Sequence, residues 1–421
     1  MSDQHDVRRT IDAVWRIESA RIIATVARLV HDVGIAEELA QDALIAALEQ
    51  WPSEGIPRNA GAWLTAAAKH RAIDWLRRGT LIERKHEELA RELEGESAMP
   101  APDDTAALED DIGDDLLRLI FTACHPVLSP DARSALTLKL LGGLSTDEIA
   151  RAYLTPEPTI AQRIVRAKRA LSEAKVPFEV PRANELPERL SSVLEVLYLI
   201  FNEGYSATAG DDWMRPALCE EALRVGRILA GLMPGESEVQ GLVALMEIQA
   251  SRAKARVKAD GEPVLLLEQN RALWDQLLIR RGLVALQRAE ALVGALGPYA
   301  LQAAIAACHA RARTAEDPDW TRIAALYDAL AQIAPSPIVE LNRAVAVSMA
   351  FGPAEALRIV DELMQEPVLR QYHLLPSVRG DLLFKLRRFD EAREAFKRAA
   401  SLTRNERERK LLLERAAACT P

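Results

Sequence analysis

Aromatic side chains are scarce in this chain, 5% of 421 residues. Strand-favouring runs of Val, Ile, Thr and Tyr are scarce too, which argues against a sheet-built fold. Cysteine is rarer still. Cys124, Cys219, Cys308 and Cys419 lie far apart and form no CxxC pair. That pattern excludes a disulfide framework and a zinc site, so buried thiols in a reducing compartment are expected. No apolar run reaches the roughly 18 residues that span a bilayer, and the N-terminus MSDQHDVRRT holds no apolar signal core. The expected location is therefore the cytoplasm, with no membrane partner. A nucleotide-binding glycine loop, HExxH, a nucleophile elbow and a metal-ligand cluster are all missing. No catalytic or metal-ligating residue is assigned, no cofactor is expected, and the chain is not read as an enzyme.

What is present is apolar surface, 49% of residues, dominated by Ala and Leu. This suffices for large cores and favours an all-α fold, and the length suggests two to four domains. The formal net charge of −9 seems at first to argue against a nucleic-acid partner, but it is unevenly placed. Residues 83–115 carry 13 acidic and 3 basic side chains, net −10, around Gly95, Pro100 and Pro102. That composition reads as a solvated linker. Residues 1–82 and 181–421 each sum to −1, and 116–180 to +3, so the acidity is almost wholly local.

Helical periodicity marks residues 8–30, about 35–49 and about 60–78, with a loop over 51–60 where Pro52, Gly55, Pro57 and Asn59 cluster. A helix–turn–helix is expected over 145–175. Ser145 caps a short helix with Ile149 and Ala150 inward, Thr155–Pro158 turns the chain, and Thr159 caps a second helix. That second helix turns Ile160, Ile164 and Ala167 to the core. Its other side offers Gln162, Arg163, Arg166, Lys168 and Arg169, with net +4 over 161–175. Such a helix fits a major groove, its N-terminal part on base edges and its basic side on phosphates. A solvated basic face in a helical repeat is the competing reading. After Pro181 amphipathic helices alternate with Pro/Gly turns. Gly380, Ala392, Phe396 and Ala399 are spaced as in a tetratricopeptide unit. In Phe201-Asn202-Glu203-Gly204-Tyr205 a left-handed glycine cap at a helix end competes with a ligand or docking site.

The segment GGLSTDEIARAYLTPEPTIAQRIVRAKRAL (142–171) resembles region 4 of bacterial sigma factors. AEELAQDALIAAL (36–48) and AWLTAAAKHRAIDWLRR (62–78) are similar to sigma region 2. The order, the acidic linker and the lack of other promoter-binding regions resemble the small extracytoplasmic-function (ECF, group IV) class. The helical tail resembles the subgroup with a tetratricopeptide-like extension. The resemblance implies four segments: region 2 as a helical bundle (1–82), an acidic linker (83–115), region 4 as a helix–turn–helix (116–180) and a helical extension (181–421) that regulates activity through intramolecular contacts or by binding a regulatory protein.

It also implies a function: binding core RNA polymerase, through its β′ clamp helices and β flap, and directing promoter-specific initiation. Glu38, Leu39, Gln41 and Asp42 would meet the polymerase. Trp51, Asn59, Lys69 and His70, with Trp63, would hold a base flipped from the −10 element, and Lys69, Arg71, Arg77 and Arg78 would bind phosphates. Of the aromatics, Trp63 and Trp75 are assigned more readily to the core. Gln162 and Arg166 would read the −35 element, with Thr159 at the helix start and Arg163, Lys168 and Arg169 on phosphates. His70 stands where the family often has Asn, and Ala161 where relatives carry a longer polar residue. A one-component helix–turn–helix activator with a ligand- or protein-sensing repeat domain is the alternative, and the region 2 resemblance argues against it. A purely protein-binding repeat scaffold would leave the basic helix unexplained.

Overall fold

The computed structural model describes residues 2–94, 112–153, 155–206, 214–258, 262–314, 317–403 and 405–420. Among them the fold is all-α, with 18 α-helices, four short 3-10 turns and a single isolated bridge between Val257 and Pro263. The chain divides into two compact units, Met1–Val196 and Leu197–Pro421.

The first unit begins with three mutually packed helices, α1 (Ser2–Val30), α2 (Val33–Glu54) and α3 (Ala60–Glu94). Their core is built from Ile11, Ile22, Val26, Leu39, Ala43 and Leu64, all buried. Asp32 starts α2 by accepting hydrogen bonds from the Gly34 and Ile35 amides, which satisfies two orphan donors of the first turn. The loop expected from Trp51 begins later than the sequence suggests. The helix continues through Pro52 to Glu54 and stops at Gly55, whose φ of 88° closes the turn with its N–H on the Trp51 carbonyl. Proline removes one i→i−4 bond, but Leu48 is exposed on this last turn, while Trp51 is buried edge-on against Trp63 at 5.4 Å. That burial offsets the lost bond.

Likewise α3 does not end at Arg78. The run of Glu, Lys, Arg and Leu after it has high helix propensity and stays helical to Glu94. Residues 95–111 of the acidic stretch lie outside the described residues, and α4 (Ile112–Ala123) follows. It packs on α1, and its buried Asp115 takes Arg28 at 2.9 Å and Arg118 at 2.6 Å. The unit is completed by α5 (Pro130–Leu140), α6 (Thr146–Ala152) and α7 (Glu157–Glu173), with Leu136, Ile149, Ile160, Ile164 and Leu171 forming their core. The division between the units falls within α8 (Leu186–Tyr205).

The second unit is a succession of helices: α9 (Pro216–Leu232), α10 (Ser237–Ala250), α11 (Gln276–Leu292), α12 (Pro298–Arg311), α13 (Trp320–Ile333) and α14 (Pro337–Phe351), then α15 (Pro353–Leu363), α16 (Leu374–Lys385), α17 (Phe389–Leu402) and α18 (Glu406–Ala417). Neighbours in sequence pack on each other, α10 and α11 included although residues 251–275 separate them. Ala392, Phe396 and Ala399 are buried, and Gly380 lies so close to Phe396 that a Cβ there would sit 2.8 Å from the ring. All four cysteines are free and buried, as expected.

The Phe201–Tyr205 segment does not end in a left-handed cap. Gly204 is helical and buried in α8, and a Cβ on it would come within 2.6 Å of the Cys219 amide and 2.8 Å of Leu218. Its role is the close approach of α8 to α9. Around it, Glu203 pairs with Arg215, and Phe201 stacks on Tyr205 at 5.7 Å.

Candidate nucleic-acid interface

The helix–turn–helix is built as its sequence demands. Ser145 and Glu148 form a reciprocal capping box: the Ser145 hydroxyl accepts from the Glu148 amide at 3.1 Å, and the Glu148 carboxylate accepts from the Ser145 amide at 2.8 Å. Glu148 also pairs with Arg16 of α1. Partial burial alone would raise its pKa, but the Ser145 amide and the Arg16 guanidinium outweigh that and hold it below the usual carboxylate value.

Thr159 does not cap the second helix. α7 begins at Glu157 after Pro156, with no side-chain cap, because the Pro156 ring has no acceptor; the Thr159 amide donates to the Pro156 carbonyl at 2.9 Å, and Pro158 has no N–H to satisfy. Thr159 is instead an exposed residue of that first turn. Ile160, Ile164 and Ala167 are buried, while Gln162, Arg166 and Arg169 are exposed on the open side together with Val165. Arg169 pairs within its own helix with Glu173 at 2.6 Å, and Arg163, half-buried, meets Asp131 at 3.3 Å.

Lys168 sits differently. Its ammonium pairs with Glu37 of α2, which is only 2% exposed. Lys139 of α5 approaches the same carboxylate at 3.5 Å, and Gln41 donates to it at 2.7 Å. Gly34 of α2 lies against the Lys168 stem, where a Cβ would be 3.6 Å from its Cδ. One buried carboxylate thus ties the basic helix and α5 to α2. Sequence reasoning missed Glu37 because its partners come from distant helices.

On α2, Leu39 is buried in the core and Gln41 is engaged by Glu37, so neither forms an outer face. Glu38 and Asp42 are exposed, and the stripe continues through Ile45 and Glu49, with Ile45 51% exposed. Ile45 was not singled out, although i, i+4, i+7 spacing from Glu38 marks that face. Between α2 and α3, Trp51 is 1% exposed. It backs the wall beneath Trp63 and offers no ring face for stacking. Asn59 is exposed and its Oδ1 accepts from the Ala62 amide at 3.0 Å, starting α3. His70 is exposed and Lys69 half-buried on the same helix. Arg71 donates to the Ala67 carbonyl at 3.0 Å and Arg78 to that of Asp74 at 3.2 Å, while Arg77 stands 4.0 Å from the Asp74 carboxylate. Trp75, assigned to the core, is instead 36% exposed beside the exposed Leu76.

Comparison with known proteins identifies these modules. Residues 16–81 match the family model "Sigma-70 region 2" and residues 118–171 "Sigma-70, region 4". Residues 189–290 match "Family of unknown function (DUF6596)". Over 380 residues the chain is 43% identical to "Uncharacterized protein R00370" of Rhizobium meliloti (strain 1021), covering 90% of this chain and 88% of that protein. The chain belongs to one family with that protein, and it carries sigma-70 regions 2 and 4. It is also 25% identical over 182 residues to "Probable ECF RNA polymerase sigma factor SigI" of Mycobacterium tuberculosis (strain ATCC 25618 / H37Rv), 43% of this chain and 59% of that one. The region 2 match thus runs from the middle of α1 through α2 into α3, and the region 4 match from α4 into α7. The Glu37 cluster joins region 2 to region 4. No helix among the described residues is long and apolar enough to cross a membrane.

Proposed function

We propose that this chain is a sigma factor of the ECF class, an initiation factor that binds core RNA polymerase and directs it to specific promoters. Four segments carry the work: region 2 (1–82), the acidic linker (83–115), region 4 (116–180) and a tetratricopeptide-like extension (181–421) that regulates activity. Glu38, Asp42, Ile45 and Glu49 form an acidic–apolar stripe suited to the β′ clamp helices, and region 4 would meet the β flap. Asn59, Lys69 and His70 surround the −10 base, with Trp63 on Trp51 as the wall. Arg71, Arg77 and Arg78 reach phosphates along α3.

The observation that carries the reading is the exposed Gln162–Arg166–Arg169 face of α7 in a helix–turn–helix that follows region 2 in the same chain. Bidentate Arg and Gln contacts in a major groove discriminate bases, so Gln162 and Arg166 read the −35 element while Arg163, Arg169 and a released Lys168 hold its phosphates. In the free chain Glu37 neutralises Lys168, so full engagement of DNA requires that pair to open. Gel filtration of the full chain with core RNA polymerase tests the polymerase step. Co-elution that weakens on replacing Ile45 and Glu49 by Arg is expected, whereas no complex with core enzyme would refute the reading.

A further inference from the structure

The second unit contains a cavity of about 460 Å³ whose walls come from α10, α12, α13 and α14 and the start of the unit in α8. Part of it lies in the DUF6596 segment and part beyond it. Its lining mixes apolar Leu245, Ile305 and Leu330 with Arg252, His309, Gln302 and Asn342, and among the described residues no carboxylate lines it. His309 is 8% exposed, and its Nδ1 has no hydrogen-bond partner among the described residues. Burial, with Arg252 and Arg271 nearby, lowers its pKa to about 4, so the imidazole is neutral at pH 7.

Arg252 is the wall's fixed positive charge. Its Nε donates to the Tyr205 hydroxyl at 3.0 Å and its Nη2 donates to the same oxygen, and it lies over the faces of Tyr205 and Trp274 at 5.7 and 5.8 Å. Behind it, Arg256 lies 3.5 Å from the Tyr205 ring centre and Arg271 4.6 Å from that of Trp274. Two aromatic rings thus pin the guanidiniums in place. A fixed, half-buried guanidinium facing an acid-free cavity favours an anion. The apolar lining takes a hydrocarbon body. A few hundred Å³ is the size of a small-molecule site.

We propose that this cavity binds a small amphipathic organic anion, its acid group on Arg252 and its apolar body against Leu245 and Ile305. Such a site gives the C-terminal unit a chemical input that is measured without polymerase or DNA, so its test stands apart from the promoter reading. The probe is 1-anilinonaphthalene-8-sulfonate, titrated into the full chain by fluorescence. Saturable one-site binding, displaced by octanoate and not by octylamine, is expected. Arg252→Gln should weaken the site at least tenfold, the scale of a lost charge-assisted hydrogen bond. Ala306→Phe, which fills the cavity, should abolish one-site binding and decides the matter should Arg252→Gln not fold. No saturable binding to the wild-type chain, displacement by octylamine as readily as by octanoate, or unchanged binding in folded Ala306→Phe would each overturn the proposal.

Discussion

Replacing Glu37 by Gln should loosen region 4 from region 2 and release a DNA-binding charge. In the wild-type chain one carboxylate, 2% exposed, serves both Lys168 and Lys139. At an effective dielectric near 20, an ion pair at this separation attracts by roughly 5 kcal/mol, most of which desolvation offsets. Removing one partner of a buried pair costs about 3–5 kcal/mol. Both lysines keep some access to water, so the low end, about 3 kcal/mol, is expected by urea unfolding. That leaves a folded chain if the first unit has ordinary domain stability. Gln retains the shape and a contact to Gln41 but no charge. Lys168 then becomes available to phosphate, and each phosphate neutralised adds roughly 0.9 to the slope of log K against log salt. Anisotropy of a labelled duplex between 50 and 200 mM salt should give a steeper slope and tighter binding for Glu37→Gln. Lys168→Ala should change the slope little in the wild-type background and flatten it by about 0.9 in the Glu37→Gln background. Equal effects of Lys168→Ala in both backgrounds would refute the idea that Glu37 withholds Lys168.

Other expectations are narrower. Arg166→Ala should cost about 1–3 kcal/mol at the promoter and relax the base preference at one −35 position, measured by competition among single-base variants. Gly204→Ala forces a Cβ to 2.6 Å from the Cys219 amide and should destabilise the second unit by about 1–3 kcal/mol in denaturant. Gly231→Ala near the end of α9 meets nothing within 4 Å and should stabilise it by up to about 1 kcal/mol. Glu148 has a lowered folded pKa, so its contribution is complete above the ordinary carboxylate range and fades as pH falls through the lowered value. A melting-temperature profile from pH 6 to pH 3 should flatten in Glu148→Gln.

The sequence makes local features readable and distant ones obscure. Helical spacing alone separates Ile160, Ile164 and Ala167 from Gln162 and Arg166, and the Ser145–Glu148 capping box is written in four consecutive residues. Proline and glycine mislead where burial outweighs them: Trp51 stays helical beside Pro52 because its ring fills the core. Gly204 ends no helix because α9 presses against it. Glu37, Lys139 and Lys168 carry no joint pattern, since three helices far apart in sequence bring them together. The cavity around Arg252 and His309 was invisible for the same reason, as each residue alone is an ordinary member of its helix.

Run-off transcription with purified core RNA polymerase on a library of genomic promoter fragments tests the central claim most directly. The full chain should convert core enzyme to defined start sites lying downstream of a shared pair of −35 and −10 motifs, and Arg166→Ala should shift which −35 sequences are used. Core enzyme that starts no differently with the chain than without it would contradict the account.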